Sequence, residues 1–122
     1  MLMREILESS DWGRPPDDNE RQTIVNNTED EYRLPNLASI LPEDYWHPVV
    51  KVLLKNGDPN VTIYRGVPDG VSEIRPGDWV ALSRSYAAQH NGGNVISKRV
   101  PVADVAWAGT DINEYYYVPI RQ

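Results

Sequence analysis

The chain has no cysteine, no phenylalanine and only two histidines among its 122 residues. The absence of cysteine excludes a disulfide scaffold, a thiolate metal site and a cysteine nucleophile. The two histidines, His47 and His90, lie far apart in the sequence, so we expect no metal cofactor. The aromatic residues are four tryptophans and seven tyrosines, so aromatic packing must come from rings that carry polar groups.

Long apolar runs are also missing from the chain. No segment approaches the roughly 20 apolar residues that are needed to span a bilayer. Residues 1–7 lack the basic-then-apolar order of a secretory signal peptide. We therefore expect a soluble cytoplasmic protein without a membrane partner. The length of 122 residues corresponds to one small domain.

The formal net charge of −6 is concentrated in one segment. Residues 8–31 contain eight acidic and two basic residues, so they account for the whole net charge. No basic patch of the kind that follows a phosphate backbone is present, so we expect no conventional nucleic-acid-binding surface. Because the acidic segment offers few apolar groups, we expect it to be poorly packed unless a partner is bound.

The composition changes near residue 58. Residues 1–57 are predicted to form an acidic, partly helical segment that packs on or leads into a β-rich core over 58–122. In the first part, the pattern predicts a short helix over residues 2–9. A capping-box spacing in residues 26–31 predicts a second helix start. The valine- and leucine-rich run over 49–55 fits either a helix or a hairpin strand.

The second part of the chain is typical of a β structure. Alternating apolar residues separated by turn signals predict four strands and one short helix. The strands are expected over 61–66, 78–83, 95–102 and 115–118, and the helix over 85–90. The sequence therefore predicts an α+β fold.

Three polar residues are placed where such strands end. Arg65 ends the first strand, Ser83 ends the second and precedes the short helix, and Glu114 ends a polar loop just before the last strand. A guanidinium can hold a phosphate or ribose oxygen in a fixed fork. A hydroxyl can position a carboxylate, and a carboxylate can stabilise an oxocarbenium-like transition state. This set of residues suits the cleavage of a glycosidic bond in a dinucleotide.

The chain resembles the catalytic core of small phage- and bacteria-associated ADP-ribosyltransferases of the Arg–Ser–Glu branch. The order, spacing and strand contexts of the motifs carry this resemblance, in residues 61–68, 74–90, 95–98 and 111–117. It covers about residues 58–119. It implies a split, mostly antiparallel β core with short helices, with NAD as co-substrate in the cleft between two sheets. The N-terminal half is expected to be helical or irregular.

The resemblance also implies roles for individual residues. Arg65 would contact the NAD phosphate and the nicotinamide ribose, and Gly66 would let NAD approach the backbone. Ser83 would hydrogen-bond the carboxylate of Glu114, which would act as the catalytic residue together with Arg65 and Ser83. The full NAD-binding set expected is Arg65, Gly66, Ser83, Ser85, Tyr86, Asn113 and Glu114.

Within this set, Tyr86 would stack against nicotinamide, and Asn113 would lie in the loop that faces the acceptor. Ile112 stands where relatives that modify arginine carry a second acid, and it cannot deprotonate a guanidinium. Arginine is therefore not the expected acceptor residue. The acceptor is expected to be a protein or nucleic acid of the cell, most simply a protein. Only eight residues follow Glu114, so the core is expected to be minimal or completed by the N-terminal half or a partner.

Three functions remain open from the sequence. The first is an NAD-dependent mono-ADP-ribosyltransferase, encoded by a phage and acting on a host factor. The second is an inactive transferase-like fold that binds a partner stoichiometrically through its acidic surface. The third is an NAD glycohydrolase without a macromolecular acceptor. Each site residue also has a structural alternative: Arg65 as an ion-paired surface residue, Ser83 as a helix N-cap and Glu114 as a solvated turn residue.

Overall fold

The computed structural model describes residues 17–90 and 94–120, and these residues form a mixed helix-and-sheet fold. The α+β class predicted from the sequence is confirmed at this level. The helix predicted over residues 2–9 lies outside the described residues.

The described residues form five strands in two antiparallel sheets. In chain order the strands are β1 (Asn60–Gly66), β2 (Trp79–Val80), β3 (Val95–Pro101), β4 (Val105–Trp107) and β5 (Tyr115–Tyr117). One sheet pairs β1 with β3 along their whole length, from Asn60 opposite Pro101 to Gly66 opposite Val95. The other sheet has the strand order β2-β5-β4.

Four of these strands occur where the sequence predicts them, with one of them shortened. The strand expected over 78–83 is reduced to β2, because only Trp79 and Val80 pair with β5. Strand β4 was not predicted. It is three residues long and pairs with β5 from Val105 opposite Tyr117 to Trp107 opposite Tyr115.

The helices follow their capping signals. They are α1 (Asp18–Asn27), α2 (Pro48–Asn56) and α3 (Arg84–Ala87). Helix α2 occupies the run for which helix and strand were both open. The side chain of His47 accepts a hydrogen bond from the backbone N–H of Val49 at its start, and Gly57 ends it with a left-handed φ of 68°. These two caps and Pro at the first helical position favour the helix.

Helix α1 corrects two expectations for the acidic segment. The capping box is formed by Asp17 and Glu20, and residues 26–31 lead only into a 3₁₀ turn without a side-chain cap. Part of the segment is also packed, because one face of α1 lies against the core while residues such as Asp17 and Asp18 stay exposed. Ile24 is completely buried and Arg21 is 9% exposed. The cause is a close approach: a Cβ on Gly77 would lie 2.5 Å from the backbone oxygen of Arg21, so the absence of that Cβ admits α1.

The apolar residues divide into two clusters on the two faces of the three-stranded sheet. The larger cluster joins both sheets to α2 and to the 3₁₀ segment Leu34–Ser39. The smaller cluster packs Ile24 of α1 against Trp79, Ala106 and Tyr116. Residues from the N-terminal half therefore contribute to both clusters.

Among the described residues, one backbone bridge joins the two sheets. Tyr64 of β1 and Ala81, next to β2, form an isolated antiparallel bridge, with N–O distances of 2.9 and 2.8 Å. Arg65 follows Tyr64 in β1, and Trp79 lies two residues before Ala81 in the other strand. Beyond this bridge the two sheets separate, and we call the place where they separate the split. The end of β1, the start of β2 and α3 surround it.

Candidate functional site

Arg65 lies at the split and is buried. Strand alternation places it on the inward face of β1 with Val61 and Ile63, and it is 6% exposed. Its Nη1 donates a hydrogen bond of 3.0 Å to the backbone oxygen of Trp79. The guanidinium therefore supplies a donor to a backbone carbonyl of β2, where the strand ladder between the sheets stops.

The surroundings of Arg65 are ionic. Burial lowers the pKa of Arg65, and the charge of nearby Asp78 opposes that shift. Asp78 is 2% exposed; its Oδ2 accepts a hydrogen bond from the backbone N–H of Arg75 at 2.7 Å, and its Oδ1 lies 3.7 Å from Nη1 of Arg21. Arg65 thus lies in a buried charged environment that reaches from β1 to α1, and not on the surface as the ion-paired alternative expected; among the described residues it forms no salt bridge within 4 Å.

Gly66 is required by packing against α3. A Cβ on this residue would lie 2.3 Å from the backbone oxygen of Ala87 and 2.8 Å from that of His90. Real Cβ atoms do not approach backbone that closely, so only glycine fits here without movement of α3. The backbone of α3 occupies the space that the resemblance assigns to NAD.

Ser83 is the N-cap of α3. Its Oγ accepts a hydrogen bond of 3.4 Å from the backbone N–H of Tyr86 and lies 2.8 Å from Oγ of Ser85. The N-cap alternative for Ser83 is confirmed. Its hydroxyl contacts Ser85 and Tyr86, whereas the expected partner was Glu114.

Glu114 ends a closely hydrogen-bonded loop between β4 and β5. Its backbone N–H donates to the backbone oxygen of Asp111 at 3.1 Å, and its backbone oxygen accepts from Ala108 at 3.0 Å. Asn113 donates twice to Oδ1 of Asp111, from its backbone at 2.8 Å and from its side chain at 3.0 Å. The left-handed φ of 83° at Gly109 turns the chain. The backbone of the loop thus fixes the position of Glu114.

The half-buried carboxylate of Glu114 has two hydroxyl partners. Tyr86 donates to Oε2 at 3.2 Å, and Thr110 donates to Oε1. Burial and the charge of Glu114 raise the pKa of Tyr86 to about 12. The ring of Tyr86 meets His90 edge-on, with 5.5 Å between the ring centroids. The resemblance implies that Tyr86 stacks against nicotinamide, whereas here its hydroxyl binds Glu114. Nothing in the sequence distinguishes Thr110 from the other polar residues of its loop.

The structure brings part of the predicted set together. Ser83, Ser85, Tyr86 and Glu114 form one connected group at α3, and Asn113 lies in the adjoining loop. Arg65 makes no hydrogen bond to this group among the described residues. The pairing of Trp79 with Tyr116 and Val80 with Tyr115, continued by one position, puts Ala81 opposite Glu114. Ala81 also pairs with Tyr64, so Tyr64 and Glu114 share one face of the paired strands. Because successive residues of a strand alternate, Arg65 faces the opposite side.

A small cavity lies beside Arg65. It is lined by the ends of β1 and β2 and by α3, including Arg65, Gly66, Ala87 and His90, and its volume is about 10 Å³. That is about the room that one water molecule needs. In this conformation the cavity does not admit a nicotinamide ring.

Two further findings concern the described residues. None of their helices is both long enough and apolar enough to cross a membrane. No group of three or more His, Asp or Glu side chains among residues 17–90 and 94–120 is arranged to hold a metal ion.

No protein-family model matches the chain, and no curated protein or solved structure is detectably similar to it.

Proposed function

We propose that the protein is an NAD-dependent mono-ADP-ribosyltransferase that modifies a cellular macromolecule. The observation that carries the proposal is the carboxylate of Glu114, which a hydrogen-bonded loop and two hydroxyl donors fix beside α3. Such a preorganised negative charge can stabilise positive charge that develops in a transition state. The division of the β structure into two antiparallel sheets also agrees with a split transferase core.

Glu114 in this position would assist the transfer of ADP-ribose from NAD to an acceptor. The glycosidic C–N bond of NAD breaks, and nicotinamide leaves with the bonding electron pair. A nucleophile of the acceptor forms a bond to the same ribose carbon and loses a proton to solvent. Glu114 would hold a ribose hydroxyl and stabilise the positive charge on the ribose, while Ser83, Ser85 and Asn113 would line its surroundings. The acceptor is a protein, with the modification made in the host cytoplasm if a phage encodes the enzyme.

NAD binding requires a conformational change at the cavity beside Arg65. The cavity of about 10 Å³ at Arg65 must widen, and α3 is the element whose backbone closes it. Movement of Ala87 and His90 away from Gly66 would widen the cavity, and the hydrogen bond from Tyr86 to Glu114 would have to persist. Rearrangements of a short element on binding are common in regulated sites.

The direct test is incubation of the full chain with NAD that carries a label in the adenylate part. Nicotinamide release is measured with and without a cell lysate, and label transfer is followed on gels. The proposal expects release that depends on the protein and label on a macromolecule in the lysate. Release without transfer would point to an NAD glycohydrolase, and the absence of both would overturn the proposal.

A second candidate is an inactive transferase-like fold that binds a partner stoichiometrically. The burial of Arg65 and its bond to the Trp79 backbone favour it, because that guanidinium is already engaged. The partner would meet the acidic surface formed by α1 and the following turn, where Asp17, Asp18, Glu29, Asp30 and Glu31 are exposed. Of these five residues, Asp18 and Asp30 form ion pairs with Arg21 and Arg33.

The two candidates differ in what Glu114 does. The binding candidate predicts a biological effect that survives Glu114→Gln but is lost when Asp30 and Glu31 are both replaced by lysine. The transferase candidate predicts the reverse for Glu114→Gln. Replacement of the exposed residues Lys55 and Asn56 with alanine provides a surface control far from both features in the sequence.

A further inference from the structure

The two carboxylate oxygens of Glu114 are held by hydroxyls from two different elements. Tyr86, on α3, donates to Oε2, and Thr110, in the loop before β5, donates to Oε1. Tyr86 is 28 positions away in the sequence, and Thr110 is four positions away. A carboxylate tied at both oxygens to two separate elements cannot rotate about its last bond without breaking a contact.

The contacts leave room for a ligand. An ionised carboxylate offers about four lone-pair positions. Two of them accept from Tyr86 and Thr110, so about two stay available on a side chain that is only half-buried. The same carboxylate can therefore be held in place and still accept a hydrogen bond from a substrate hydroxyl.

Tyr86 is itself held in position. The N-cap Ser83 accepts from its backbone N–H, and the ring of His90 packs edge-on against its ring. The phenol of Tyr86 carries its proton at neutral pH, and burial and the neighbouring charge of Glu114 raise its pKa further. A phenol that stays protonated is a permanent hydrogen-bond donor to the carboxylate.

We propose that Tyr86 and Thr110 are the positioning residues of Glu114, the role that the resemblance gives to Ser83. The proposal rests on the proposed function for its catalytic consequence, but the contacts themselves can be tested without turnover. Ser83 then acts one step further out, because it caps the helix that carries Tyr86.

The contacts are tested by double-mutant cycles on the full chain. Glu114→Met removes the acceptor at similar shape, and it is combined with Tyr86→Phe in one cycle and with Thr110→Val in another. Urea unfolding gives an equilibrium constant for each variant. We expect the double variants to depart from the product of the single effects by about fivefold, because groups in contact are coupled.

Matched controls use residues with the same chemistry elsewhere. Tyr45→Phe changes an exposed tyrosine, and Thr62→Val changes a threonine on β1. Each is combined with Glu114→Met, and we expect these effects to multiply without coupling. Additive behaviour of the Tyr86 and Thr110 cycles as well would overturn the proposal whether or not the protein turns over NAD.

The positioning role is tested by nicotinamide release from NAD. Tyr86→Phe and Thr110→Val are expected to lower kcat about 10- to 100-fold with little change in KM, since a misplaced catalytic group has that cost. Thr110→Ser keeps the hydroxyl and should restore most of kcat. Unchanged kcat in both variants of an active parent would overturn the role. A parent without turnover would refute the proposed function, and the cycles would still decide whether the two hydroxyls hold Glu114.

Discussion

Arg65 and Glu114, the basic and the acidic residue of the predicted site, have different surroundings. Arg65 is buried, bonded to the backbone of Trp79 and surrounded by the charges of Asp78, Arg21 and Arg75. Glu114 is half-buried and lies on a hydrogen-bonded loop, and its carboxylate accepts hydrogen bonds from the hydroxyls of Tyr86 and Thr110. Arg65 therefore contributes to the fold, whereas the carboxylate of Glu114 has no ion pair among the described residues and is partly exposed.

Alkaline pH should have the largest effect, and it acts at the Glu114 end. Burial raises the pKa of Tyr115 and Tyr116, and it raises the pKa of Tyr86 to about 12. These groups add stability that is complete below their unfolded pKa of about 10 and is lost as the pH rises through the folded values. Urea unfolding at several pH values should show a loss of stability above about pH 10.

Tyr86→Phe gives the control for that pH dependence. The variant lacks one of the three titrating phenols and should lose stability less steeply above about pH 10 than the parent. A free energy of unfolding that stays flat through this range would show that the tyrosines are as accessible as in the unfolded chain.

Substitution at the Arg65 end should have the next largest effect. Arg65→Met is expected to lower the free energy of unfolding by about 3 kcal/mol, because Asp78 would be left as a buried charge with less compensation. Arg84→Met is the control: Arg84 is exposed and lies 5.3 Å from the centroid of the Tyr64 ring. Its cost should be about 0.5 kcal/mol. Equal small costs in urea unfolding would mean that Arg65 is not structural.

Gly66→Ala tests the close approach of α3 to β1. A Cβ would meet the backbone oxygen of Ala87, which cannot rotate away as a side chain can. We expect a loss of about 2 kcal/mol in unfolding free energy, within the range of overpacking substitutions. Ser97→Ala, on the exposed part of β3, should be close to neutral. A stable Gly66→Ala protein would indicate that α3 moves easily, which would favour access for NAD.

Ser83→Ala should have the smallest effect on stability. Loss of an N-cap side chain costs about 1 kcal/mol. Ser85→Ala removes the other member of the serine pair without removing the cap, so its cost should be lower. If the two variants unfold at the same denaturant concentration, Ser83 does not act as a cap in solution.

Local signals in the sequence account for much of the fold. Pro48 and Asn56-Gly57 mark the ends of α2, and alternating residues mark β1 and β3. Strand β4 is too short for an alternation to be recognised. The burial of Ile24 depends on contact with Trp79 and Tyr116, which lie far along the chain. A single apolar residue in an acidic stretch carries no signal for such a contact.

The candidate site was predictable only in part. The sequence predicts that Arg65, Ser83 and Glu114 lie in one site, and the structure connects only Ser83 and Glu114 of these three, through Tyr86, among the described residues. The surroundings of Arg65 depend on where the two sheets separate, and tertiary contacts rather than the local sequence set that place. Thr110 is one of several polar residues in its loop, and only the fold shows that its hydroxyl reaches Glu114.

Comparison of Glu114→Gln with the parent in NAD binding and nicotinamide release tests the central claim most directly. Gln has nearly the same shape but lacks the charge, so NAD affinity measured by calorimetry should change little. Nicotinamide release should fall about 10²- to 10³-fold, the typical cost of losing a preorganised electrostatic group. Release that is equally fast in both proteins would contradict the account, because the charge of Glu114 would then have no part in the reaction.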